Sequence, residues 1–113
     1  MASAFEKIKA VADGLSIFSC PDVYTKGDKS EWITYNLADD HGAAFSDDLP
    51  AEFVADVQVH LFLPIDQNFI PKMHQIRAGL MGQGFTCPDI TTMIEADTHL
   101  RHIVFECEIV EAQ

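Results

Sequence analysis

The clearest pattern in the chain lies between residues 53 and 111. Apolar Ala55, Val57, Val59, Leu61 and Leu63 alternate with Asp56, Gln58, His60 and Phe62. A period of two sends the first set to one face of a strand and the second to the other. The spacing predicts a strand over residues 52–63, ended by Pro64. The period then becomes helical. Phe69, Met73, Ile76 and Leu80 recur at i, i+4, i+7 and i+11, which predicts a helix starting near Asp66 or Asn68 and stopping at Gly84. Pro71 falls in its first turn, where a missing amide costs nothing. Two strands follow, over residues 90–96 and 100–110, turning around 96–99. In the second of them Ile103, Phe105, Cys107 and Ile109 form one face. His102, Glu106 and Glu108 decorate the other, with Val104 and Val110 among them.

The first half is less regular. Phe5, Ile8, Ala12 and Leu15 predict a helix over residues 4–15, opened by a Ser3/Glu6 capping box and weakened near its end by Gly14. A short strand over 16–20 is expected to stop at Pro21, and residues 26–29 read as a turn. Trp32, Ile33, Thr34 and Tyr35 predict a strand over 31–37. Residues 38–50 hold Asp39, Asp40, His41, Gly42, Asp47, Asp48 and Pro50, with Phe45 and Leu49 as the large apolar residues. That composition predicts a long, exposed, mobile acidic loop. The expected architecture is a single α+β domain, with a mostly antiparallel sheet and two helices packed on one face.

Composition narrows the function. The chain has 113 residues, enough for one domain that buries roughly 65% of its unfolded surface. Acidic residues outnumber basic ones 18 to 7, for a formal net charge of −11. No Lys/Arg cluster can neutralise phosphates, which argues against nucleic-acid binding and against anionic membrane surfaces. An acidic surface can, however, line a passage to which DNA must not stick. The odd number of cysteines (Cys20, Cys87 and Cys107) and the absence of a Cys-x-x-Cys pair argue against a disulfide framework or a zinc site. Glu6 and Lys7 precede any apolar run, so no signal peptide is expected. No stretch approaches the ~20 apolar residues of a membrane span.

No catalytic constellation emerges. Asp39, Asp40 and His41 are consecutive and cannot all aim at one ion unaided. His99 and His102 point to opposite faces if both lie on a strand, although His60 could join from a neighbouring strand. Cys107 lies between Glu106 and Glu108, a poor setting for a thiolate. Gly79, Gly82 and Gly84 do not open a helix after a strand, so they form no phosphate loop, and Gly79 fits close helix packing. Catalytic residues, metal and cofactor are therefore all expected to be absent. The residues to watch are Trp32, Tyr35, Phe45 and Phe62, which either lie under the helices or face a neighbouring subunit. Asp39, Asp40, Asp47 and Asp48 of the acidic stretch complete the candidate contact set.

The runs EWITYNLAD, AEFVADVQVHLFLP, IPKMHQIRAGLMGQGFTCPDI and LRHIVFECEIVE resemble the core of tail-completion proteins of long-tailed bacteriophages. These proteins are also called tail terminators or head–tail joining proteins. The resemblance covers roughly residues 31–111 and rests on residue-class patterns. It implies an α+β fold and a homo-oligomeric ring, typically of about six copies, that caps the tail tube and docks it to the head connector. DNA would pass through without specific binding, and the net charge of −11 suits such a passage. It also implies a virion protein, present in the host cytoplasm during assembly, with no catalytic residues. The chain departs from the family pattern in its histidine content and in PDITTMIEADTH. The alternatives are another phage morphogenesis component, such as a tail tube protein or connector adaptor, and a small metal-binding domain using His60, His99 and His102.

Overall fold

The computed structural model describes residues 3–27, 29–46 and 49–112, with the backbone alone at 44–46, 49–51 and 112. Helix α1 (Ala4–Gly14) is followed by strands β1 (Ser19–Pro21), β2 (Trp32–Ser46) and β3 (Leu49–Pro64). Helix α2 (Ile70–Gly82) and strands β4 (Asp89–Glu95) and β5 (Leu100–Ala112) complete the chain. The fold is α+β, with one five-stranded sheet in the order β1-β2-β3-β5-β4. β1 runs parallel to β2, and every other neighbouring pair is antiparallel.

Local chemistry sets the helix ends. At the start of α1, the Ser3 hydroxyl accepts from the Glu6 amide at 3.2 Å, and the Glu6 carboxylate accepts from the Ser3 amide at 3.4 Å. At its end, Ile17 N–H donates to Ala12 and Ser16 N–H to Asp13, a Schellman closure with Ser16 in the left-handed region at φ 58°. This closure takes Ser16 and Ile17 out of the expected strand over 16–20, so β1 begins at Ser19 and includes Pro21. α2 carries Pro71 in its first turn and takes a 3.3 Å bond from the Ile70 amide to Asn68 Oδ1. It closes in the same way as α1, with Phe85 N–H to Leu80, Gly84 N–H to Met81, and Gly84 at φ 102°.

Both helices cover one face of the sheet. Ile8, Ala12, Ile76 and Leu80 meet Ile33, Tyr35, Val57, Val59, Leu61, Leu63, Ile103, Phe105 and Ile109 in a single core. Gly79 permits the close approach of the helices, since a Cβ there would lie 2.7 Å from Val11 Cγ1. Lys72 of α2 reaches Glu31, just before β2, at 2.7 Å.

One expectation is corrected. Residues 38–46 do not form a loop but continue β2, and Leu49 and Pro50 already belong to β3. Pairing of His41 with Val54, Gly42 with Phe53 and Phe45 with Pro50 makes this stretch a long antiparallel arm. Ladder hydrogen bonds along the arm outweigh the low strand propensity of its aspartates. Asp47 and Asp48 lie outside the described residues.

Candidate functional site

The sheet face opposite the helices carries no helix among the described residues. Strand register arranges it in rows. Trp32, Phe62, His102 and Met93 form one row, and Thr34, His60, Val104 and Thr91 the next. Asn36, Gln58, Glu106 and Asp89 follow, then Asp39, Asp56 and Glu108. A bulge between Leu37 and Asp39 shifts the alternation of β2 and returns Asp39 and His41 to this face. Lys and Arg are absent from these rows. Lys7, Lys9, Lys72 and Arg77 are on the helices, Lys26 and Lys29 precede β2, and Arg101 lies against the Phe69 ring at 4.2 Å.

One end of the open face is aromatic. Trp32 stacks on Phe62 (centroids 5.0 Å apart, planes 16° apart), and Phe62 stacks on His102 (4.2 Å, 22°). Tyr24 and Phe18 extend the series beyond β2. Beside this stack a hydrogen-bonded chain crosses four strands. Glu95 Oε1 lies 3.1 Å from His102 Nδ1, and His102 Nε2 lies 2.7 Å from His60 Nδ1. His60 Nε2 lies 2.9 Å from Asn36 Oδ1, and Asn36 Nδ2 donates to Gln58 at 3.4 Å. Burial, and then the charge of His102, hold the His60 pKa below the ordinary histidine value.

The other end is acidic. Asp39, Asp56, Asp89, Glu106 and Glu108 surround a shallow cavity of about 430 Å³ that also reaches Thr86 and Cys87. A hydrogen bond between Glu108 and Asp56 raises the Glu108 pKa, with burial and the Asp56 charge adding to it. His41 Nδ1 lies 2.7 Å from Asp39 Oδ2, and that bond raises the His41 pKa. Asp39, His41 and Asp56 each place one ligand atom within 4.8 Å of the others. Three such donors could share a divalent cation, although calcium alone would need six to eight oxygens. Cys107 is buried beneath, its thiol pushed up to about 12 by burial and then by Glu108, so it is no nucleophile at neutral pH.

The structure separates the residues singled out from the sequence. Trp32 and Phe62 stack on the open face, and Asp39 joins its acidic end. Tyr35 is only 5% exposed and lies on the covered face, edge-on to Phe5 at 4.9 Å. Asp40 is on that side too, lining a small cleft with Ser3, Phe5 and Glu111. The Phe45 side chain, like Asp47 and Asp48, lies outside the described residues. His60 and His102 do come together, but His99 sits in the β4–β5 turn at φ 55°. A nitrogen separation of 2.7 Å is a hydrogen bond, shorter than the ~3.3 Å between two imidazole ligands of a tetrahedral zinc. Sequence reasoning missed Glu95, Asn36 and Gln58 as partners of this pair. Their one signal was membership of the outward-facing half of each strand.

No protein-family model matches the chain, and no curated protein matches its sequence. No helix among the described residues is long and apolar enough to cross a membrane.

Proposed function

We propose that this chain is the repeating unit of a homo-oligomeric ring in a bacteriophage or prophage virion, terminating the tail tube and joining it to the head connector. The observation that carries the reading is the β2–β3 arm. β1 pairs with β2 only at Ile33, Thr34 and Tyr35, so the outer edge of β2 from residue 36 to 46 has no strand partner among the described residues. Such an edge offers a row of amides and carbonyls to another strand, and a second copy of the chain can supply it. The arm also makes the molecule long, 54 × 25 × 23 Å, with a radius of gyration of 15.2 Å against about 13 Å for a compact domain of this size.

Charge supports the same reading. An acidic sheet face free of Lys and Arg would repel DNA passing a ring, so DNA would transit without specific binding. In this role the protein is no enzyme, and it sits in the virion after assembly in the host cytoplasm. Deleting the gene from the phage that encodes it should leave tails of abnormal length that fail to join heads. Tails of normal length on filled heads would contradict the proposal. Complete loss of tails would favour a tube protein instead.

A second reading, a small metal-binding domain, is favoured only by the convergence of Asp39, His41 and Asp56. Metal analysis of protein equilibrated with divalent cations separates the two. A stoichiometric ion lost in Asp56→Asn would support the second reading.

A further inference from the structure

We propose that Glu95, His102, His60 and Asn36 form a proton-limited clasp across the open face, closed while the histidine pair carries at most one extra proton and opened by a second. This inference does not depend on the proposed ring.

Counting donors and acceptors leads to it. With Asn36 Oδ1 toward His60 Nε2, that nitrogen must be protonated. His102 Nδ1 must be protonated to meet the Glu95 carboxylate. The central bond between His102 Nε2 and His60 Nδ1 then needs one hydrogen, which gives the pair one extra proton. The neutral pair can also keep every bond, because the Asn36 and Gln58 amides can turn over and donate toward His60. Two extra protons cannot be accommodated, since N–H would face N–H across 2.7 Å. The rings must then part.

The ionisable groups facing His60 are His102 and Glu106 from β5, diagonal to it on either side, and, through His102, Glu95 from β4. β2 faces it with Trp32, Thr34 and Asn36, which do not titrate in this range, and no helix packs on this side among the described residues. Burial and the charge of His102 lower the His60 pKa, which puts the second proton on the acid side of the ordinary histidine range. The clasp is coupled to the aromatic end because His102 stacks on Phe62 and Phe62 on Trp32. Displacing His102 therefore alters the surroundings of the single tryptophan.

The test follows Trp32 emission and the imidazole ¹⁵N shifts of His60 and His102 on the full chain, from about pH 8 to about pH 4.5. Two separate proton uptakes by the pair are expected, and the Trp32 change should accompany only the second. His60→Gln and His102→Gln should each lose that acid-side change while retaining far-UV circular dichroism. His41→Gln should keep it. Independent titration of both rings at ordinary values, or a Trp32 change that survives in both relay variants, would overturn the proposal. If one variant fails to fold, the other and the wild-type ¹⁵N titration still decide.

Discussion

The two faces of the sheet are built from alternate residues of the same strands, yet they do different work. The covered face holds Val57, Leu61, Ile103 and Phe105, each at most 1% exposed, under two helices whose C-terminal ends are closed by their own backbone bonds. The open face holds histidines, amides, carboxylates and a row of stacked rings, linked by hydrogen bonds and aromatic contacts. Burial on one side supplies stability, so the residues on the other are free to be chosen for surface chemistry.

The largest difference between the faces should appear when a ring is truncated on each. Phe105→Ala should cost about 3–5 kcal/mol in chemical unfolding, because it removes a fully buried ring and leaves a cavity. Phe62→Ala, which removes a partly exposed ring, should cost about 1–2 kcal/mol. Equal costs would mean that the open face is structural core. Next in size is the helix contact. Gly79→Ala should destabilise by about 1–2 kcal/mol as its methyl meets Val11, whose branched side chain cannot easily turn away. Adding Val11→Ala should recover part of that loss in a double-mutant cycle.

The open face holds both histidines whose titration should move stability, and they act in opposite senses. The folded pKa of His60 is below its unfolded value of about 6.5. As pH falls from there, the unfolded chain takes a proton that the folded chain refuses, so stability declines until the folded His60 titrates. His41 acts in the opposite sense. Its raised pKa adds stability that is present at low pH and lost as pH rises through the folded value. Unfolding at several pH values should therefore show a steeper fall below about pH 6.5 in wild type than in His60→Gln. The smallest effect belongs to Ser16, which occupies a left-handed position that glycine fills more easily. Ser16→Gly should stabilise by up to about 1 kcal/mol and leave the open face unchanged.

How much of this was legible in the sequence depends on how local the cause is. The Ser3/Glu6 box, the closure at Gly84, the alternation of β3 and the β4–β5 turn depend on residues a few positions apart, and all were readable. The arm was not. Its aspartates carry the composition of a loop, and the bulge between Leu37 and Asp39 breaks the period of two. The histidine chain was hidden for another reason. His60 and His102 are 42 positions apart, and only the β3–β5 register makes them diagonal neighbours. Glu95, Asn36 and Gln58 are ordinary strand residues until that register is known. Tyr35 was readable as a strand residue, but its face depended on where α1 packs.

If the uncovered face and the β2 edge left without a strand partner among the described residues serve assembly, the chain must self-associate. Sedimentation velocity at rising protein concentration and rising salt tests it most directly. The expected result is a closed oligomer whose mass is a small multiple of 12.6 kDa, with salt favouring it by screening the acidic copies. A species that stays at 12.6 kDa at every concentration and salt level would contradict it.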